Sequence, residues 1–256
     1  MQLQSFLLHI VDKASLIAAR VSMLMAFAPF FGGTAVPLPV KAGLTVAITA
    51  VLYPVFQWFP SVPDVSAWLE ILLGEAAVGM VIGLVMNFVF EGIELAGAVV
   101  GFQMGFSLET AIDPTTQAAS PVLSVFYQTL ALLFFLQLGM HRWMLLVLAR
   151  SYSYLPVGEA RLGAAGMGAL MRASGNIFLI GIEMAAPIML VTFLTDLSMG
   201  FLNKASPQFP VIFTSISVKN LLGFVLMLIT FGLWPGILRG YFEQALVTTE
   251  RVLHLL

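Results

Sequence analysis

The sequence predicts an all-α integral membrane protein made of kinked helical hairpins, and three observations lead there. Of its 256 residues, 60% are hydrophobic and 9% charged, whereas ordinary soluble domains are about 45–50% apolar and about 25% charged. The apolar residues gather in runs close to the roughly 20 residues that carry a helix across a bilayer. Proline, glycine and carboxylates interrupt those runs, and broken helices at membrane depth need protein or a water-filled cavity around them. Mean hydropathy is +1.00, and the length suits one integral membrane domain over 1–256.

Taken in order, the apolar segments predict helices near 14–31, 40–59, 69–91, 93–108, 122–148, 176–202 and 211–234. The stretch from Met1 to Asp12 lacks a basic start followed by a small-residue cleavage site, so the first apolar helix is expected to act as the insertion signal itself. Gly32-Gly33-Thr34 with Pro37 and Pro39 joins the first pair, and Pro60-Ser61-Val62-Pro63-Asp64 the second. Segments 122–148 and 211–234 are long and clean, whereas 40–59 carries Pro54 and 176–202 carries Pro187. Tyr152 to Ser174 reads as a Gly/Ala-rich loop, and its middle, around 160–170, as the divide between two halves. Asn203 to Pro210 separates the last two long helices. Arg142, Arg150, Arg161 and Arg172 crowd one region, while 60–68 and 106–121 carry no Lys or Arg. Basic loops face the cytoplasm, which places 141–175 and the tail with Arg239 and Arg251 inside.

Glu75, Glu91, Glu94, Glu183 and Asp196 lie inside or at the edges of these apolar stretches. A carboxylate facing lipid costs about 2.5–3.5 kcal/mol on insertion scales, so these groups are expected to face protein or water. Glu75 shares a face with Gly79 and Gly83, and Glu91 with Glu94. Hydrogen bonding to neighbouring helices or to Arg20 accounts for them better than a proton or cation path. Pro187 stands four residues after Glu183 and removes the bond to that residue's carbonyl, which predicts a kink or hinge. Asp196, Gly200 and Lys204 then follow at four-residue spacing and share a face. Glycines recur every four residues at Gly97, Gly101 and Gly105 and at Gly232, Gly236 and Gly240. Such stripes let a second backbone approach closely.

The run Gly105-Phe106-Ser107-Leu108-Glu109-Thr110-Ala111-Ile112-Asp113-Pro114, continuing to Pro121, is too apolar for a solvated loop and too broken for a helix. It reads as a connector between packed helices or as a loop folded back into a cavity. Net charge of −2 gives no case for nucleic acid binding, and the absence of cysteine excludes disulfides and thiolate chemistry. The histidines, His9, His141 and His254, are far apart, which argues against a metal site. No nucleophile elbow, phosphate loop or HExxH motif is present, so neither enzyme chemistry nor a cofactor is expected.

Several patches together resemble the FliR family of flagellar biosynthesis proteins and its injectisome relatives. They include Arg20 with Ala28-Pro29-Phe30-Phe31, Val36-Pro37 and Lys41, Gly74-Glu75 with Gly79 and Gly83, and Gly101-Phe102-Gln103-Met104-Gly105. Asp113-Pro114, Ser120-Pro121-Val122-Leu123, Gly139-Met140-His141, Leu155-Pro156-Val157-Gly158, Pro187, Asp196-Leu197-Ser198-Met199-Gly200, Pro207-Gln208 and Val218-Lys219 follow in family order. Pro210 and Ser217 depart from the family pattern, which has Asn and a second proline there.

The resemblance implies a non-enzymatic subunit of the type III protein export gate, in the bacterial inner membrane at the flagellar basal body. It implies a FliP-like part over about 1–160 fused to a FliQ-like part over about 161–256, assembled with FliP-, FliQ- and FlhB-type subunits and with membrane lipid. Unfolded secreted proteins would pass through the pore. Gly105, Phe106, Leu108, Ile112, Asp113, Pro114 and Pro121 would form the plug. Gly97, Gly101, Gly232, Gly236 and Gly240 would pack helices, and Arg20, Glu75, Glu183, Pro187, Asp196 and Lys219 would serve as buried polar or structural positions. An injectisome gate subunit is the near alternative. A secondary transporter working alone, with Glu75 or Glu183 for coupling, is the alternative of another class.

Overall fold

A computed structural model of the chain describes residues 2–33, 36–54, 65–106, 122–160, 163–206, 208 and 211–255, without the side chains of 2–9, 65 and 211–213. Among the described residues the regular structure is entirely helical. The helices are α1 (Gln2–Phe27), α2 (Pro29–Gly32), α3 (Leu38–Leu52), α4 (Val65–Met104), α5 (Val122–Gln137), α6 (Met140–Tyr154), α7 (Ala164–Ser174), α8 (Asn176–Ala205), α9 (Val211–Phe231) and α10 (Trp234–Leu253). Ser66–Met104, Ala164–Ala205 and Thr214–Phe231 are long and apolar enough to cross a membrane; α5 and α6 would add a fourth span if they are taken as one broken crossing.

The chain divides into two compact units, one of Met1–Phe88, Gly139–Ser174 and Phe242–Leu256, the other of Val89–Leu138 and Gly175–Tyr241. In the first, α1 buries Leu16, Ile17, Arg20, Val21, Leu24 and Met25, a stripe that recurs every three to four residues as one helical face does. Pro29 then opens α2 at a position that needs no backbone donor. The Lys41 ammonium closes that short helix by donating to the carbonyls of Gly32 and Gly33, both at 3.0 Å. α4 lies directly on α1: a Cβ at Gly79 would meet the Arg20 carbonyl, and one at Gly83 would come within 2.9 Å of the Phe27 Cβ.

In the second unit the later half of α4 is the central post. A Cβ on Gly97 would stand 2.7 Å from the Leu123 carbonyl oxygen, and one on Gly92 would stand 2.8 Å from the Ile180 side chain. Phe90 meets Phe135 edge to face at 5.5 Å. Phe126, Tyr127, Phe231 and Trp234 form an edge-to-face cluster that ties α5 to the α9–α10 turn.

The segment boundaries differ from the sequence expectation in several places. The predicted helices 69–91 and 93–108 are one helix, α4, because Gly92 serves close packing and does not break the helix. At 1.5 Å per residue its 40 residues measure about 60 Å, twice the roughly 30 Å hydrocarbon core. The clean run 122–148 is broken at Gly139, whose φ of +69° lies in the left-handed region. Part of the predicted loop 152–174 is helical, as α7. The tail forms α10, which alternates apolar and charged residues and so escapes a search for apolar runs. α1 begins at Gln2, well ahead of 14. Pro187 sits within α8, which continues as one helix on either side of it.

Candidate functional site

Arg20 is forced inward by its register, because it occupies the same face of α1 as Leu16, Ile17, Val21 and Leu24. A buried guanidinium needs a partner for its charge and acceptors for its N–H groups. The first unit supplies both. Nε donates to Glu75 Oε2 at 2.7 Å, Nη1 to Ser151 Oγ at 2.9 Å, and Nη2 to the Leu155 carbonyl at 3.1 Å. Its Cζ lies over the Tyr152 ring, 3.9 Å from the ring centroid. Both Arg20 and Glu75 are 0% exposed.

The second oxygen of Glu75, Oε1, accepts from the Gly158 backbone N–H at 3.1 Å. Gly158 turns that N–H inward with φ +89°, a conformation other residues adopt only with strain. Ser151 Oγ in turn donates to the Leu148 carbonyl at 2.7 Å. The node therefore locks α1, α4, α6 and the turn after α6 together through one ion pair with every oxygen of Glu75 occupied. Sequence reading lists Arg20 as one partner open to the buried acids. It misses Ser151, Tyr152, Leu155 and Gly158 as the rest of the shell, because nothing local marks residues 83 to 135 positions apart as partners.

Three further acids, Asp196, Glu183 and Glu94, are engaged in the second unit. Asp196 pairs with Lys219 and accepts from Ser215 Oγ at 3.4 Å, so its partner lies on α9 and is not Lys204 of its own helix. Glu183 accepts a 2.6 Å hydrogen bond from the Tyr241 hydroxyl. Burial, and then that bond, raise the Tyr241 hydroxyl above the ordinary phenol range, so it stays the donor. Glu94 accepts from Gln128 at 3.0 Å.

The base of the 105–121 loop belongs to the second unit too. α4 closes in a Schellman motif: the Phe106 N–H reaches the Gly101 carbonyl at 3.0 Å and the Gly105 N–H reaches that of Phe102 at 3.1 Å. Gly105 takes φ +88° for the purpose. Phe106 then meets Phe224 of α9 edge to face at 6.2 Å, while Met104 fills the space over Gly223. Leu108, Ile112, Asp113, Pro114 and Pro121 lie outside the described residues. Of the packing glycines, Gly97 is in tight backbone contact and Gly101 is buried, whereas Gly232, Gly236 and Gly240 are exposed; among the described residues nothing lies within 4 Å of a Cβ at Gly236 or Gly240, and at Gly232 the Ile229 carbonyl oxygen is 4.0 Å away.

Comparison with known proteins gives these features a family. The family model described as "Bacterial export proteins, family 1" matches residues 11–245. The chain is 28% identical over 243 residues to the flagellar biosynthetic protein FliR of Bacillus subtilis (strain 168), covering 94% of each. It is 32% identical over 216 residues to that of Escherichia coli (strain K12), covering 81% of this chain and 80% of the relative. A FliR protein of Aquifex aeolicus (strain VF5) is 25% identical over 229 residues, covering 88% and 86%. The matched span runs from ahead of Arg20 to beyond Tyr241 and so takes in the whole node and the loop base. With three long apolar helices and a near full-length match, the chain belongs to the FliR family of bacterial flagellar export proteins.

Proposed function

We propose that this chain is a non-enzymatic subunit of the type III protein export gate, set in the bacterial inner membrane at the flagellar basal body. One observation carries the reading beyond the family: apolar helices that the chain does not cover by itself. Of the most apolar window of α9, only 11% is buried, against 50% for α4. Leu221, Phe224, Leu228 and Ile229 stand exposed along it, and Phe193, Leu197 and Phe201 along α8. Large exposed apolar faces on an α-helical membrane chain meet either lipid or other subunits. Here the faces also carry Glu183, Asp196 and Lys204, which argues for protein or water over part of them.

FliP-, FliQ- and FlhB-type subunits are the proposed neighbours, with a FliP-like part over about 1–160 and a FliQ-like part over about 161–256. In this reading Gly232, Gly236 and Gly240, exposed among the described residues, present a smooth stripe to a neighbouring helix. The loop from Gly105 to Pro121 is the proposed plug of a channel for unfolded proteins. Phe106, Leu108 and Ile112 supply its apolar seal, and Gly105, Asp113, Pro114 and Pro121 shape it. The anchored loop base, with its Schellman turn and the Phe106–Phe224 contact, supports this assignment.

Deleting residues 107–120 tests it. In cells producing the complete gate, the deletion is expected to raise small-solute leak several-fold while the protein still accumulates; unchanged leak with normal accumulation contradicts the plug assignment. A transporter working alone through Glu75 is disfavoured by the closed shell of that carboxylate, whose two oxygens are already taken by Arg20 and Gly158.

A further inference from the structure

α6 carries a face with no assigned role. Its inner side, Met140, Met144, Val147, Leu148, Ser151 and Tyr152, is buried and holds half of the arginine node. The opposite side exposes Arg142 and Arg150, together with Trp143 (50%), Leu146 (40%) and Tyr154 (39%). At 100° per residue these fall within about a third of a turn of one another, so they form one continuous strip. α6 brings no acid of its own beside these arginines: no Asp or Glu occurs in the sequence from Val122 through Gly158. α5, immediately before it, contains no charged residue at all, and the two helices are separated by left-handed Gly139.

We infer that α6 lies in the plane of the membrane surface and binds anionic phospholipid through Arg142 and Arg150, with Trp143, Leu146 and Tyr154 set into the headgroup–acyl boundary. Because the opposite side of α6 is held by protein, one strip carries both kinds of group: the arginine stems lie along apolar surface while their charged heads reach the phosphates. Trp and Tyr settle at headgroup depth because one end of each ring system is apolar and the other hydrogen-bonds. A guanidinium engages phosphate oxygens through two parallel N–H groups, which an ammonium cannot do. The anionic leaflet attracts basic segments within a Debye length. The arginine node gains a purpose from this, since it fixes the roll of α6 about its axis and therefore which side meets lipid.

The chain has no cysteine, so a single introduced thiol is its sole labelling site. The full chain carrying Leu146→Cys, in the assembly in which it is extracted, is spin-labelled and placed in nanodiscs of phosphatidylcholine with or without phosphatidylglycerol. Accessibility to oxygen and to a water-soluble nickel reagent is then read by electron paramagnetic resonance. The expected ratio of oxygen to nickel accessibility lies a few-fold above that of a label at Glu159→Cys. It should rise when phosphatidylglycerol is added and lose that dependence in R142Q/R150Q, both exposed positions whose replacement leaves the node intact. An aqueous ratio in both lipids overturns the inference. So does a label shielded from both reagents, which would mean that a protein subunit covers the face. Either outcome leaves the proposed gate function standing, because the leak measurement concerns a different segment.

Discussion

Replacing Arg20 with alanine is expected to destabilise the chain by about 3–5 kcal/mol, the range found when one partner of a buried ion pair is removed. The cause is specific. The Glu75 carboxylate would stay buried with only the Gly158 N–H to satisfy it, and Ser151 and the Leu155 carbonyl would lose their donor. α1, α4 and α6 would lose their common tie. The same principle separates the ion pair's electrostatic role from simple space-filling. Replacing both charges together by apolar residues of similar volume, as in Arg20→Met with Glu75→Leu, removes the stranded charge and should cost markedly less than Arg20→Ala alone. Thermal unfolding of the detergent-extracted protein, followed by size-exclusion profile, reads both. Equal damage from the single and the double variant would contradict the role given to the charge pair.

The second large effect is expected at Gly79. Any side chain there would collide with the Arg20 main-chain carbonyl, a backbone atom that no rotamer change can move. Gly79→Val must therefore push α4 away from α1 or shift the node itself. Overpacking costs about 1–3 kcal/mol and occasionally more, and loss of node geometry would add to that. Gly236→Ala is the internal comparison. Among the described residues nothing lies within 4 Å of a Cβ at that position, and alanine is the better helix former by about 1 kcal/mol. It should leave the melting temperature of the isolated chain unchanged or slightly raised. A Gly79→Val protein as stable as the parent would mean that α1 and α4 are not packed backbone to backbone.

How far the sequence reveals these features depends on whether the determining contacts are local. The inward face of α1 is periodic, so the burial of Arg20 follows from counting residues, and so does the alignment of Glu75 with Gly79 and Gly83. The rest of the node is not local. Ser151 and Gly158 come from a helix and turn whose own pattern shows only an amphipathic segment and a Pro-Gly punctuation. Glycine proved ambiguous for a physical reason. At Gly92 it admits a neighbouring side chain without ending the helix, and at Gly139 it ends one by adopting a positive φ. Both look alike in an apolar run. α10 escaped a search for apolar runs because it is amphipathic, with Arg239, Glu243, Glu250 and Arg251 spaced among its buried residues. Asp196 shares a face with Lys204, yet pairs with Lys219 across the α8–α9 hairpin. That choice depends on the register of two helices, which spacing within either one does not encode.

The central claim is that the apolar and ionisable faces of this chain are built to be enclosed by other subunits. Native mass measurement after gentle extraction of the protein from its own membrane tests that most directly. A discrete multi-subunit mass far above the 27.7 kDa of a single chain is expected, with the chain inert as a transporter when separated from its partners. A stable lone 27.7 kDa species that moves a small solute unaided in liposomes would contradict it.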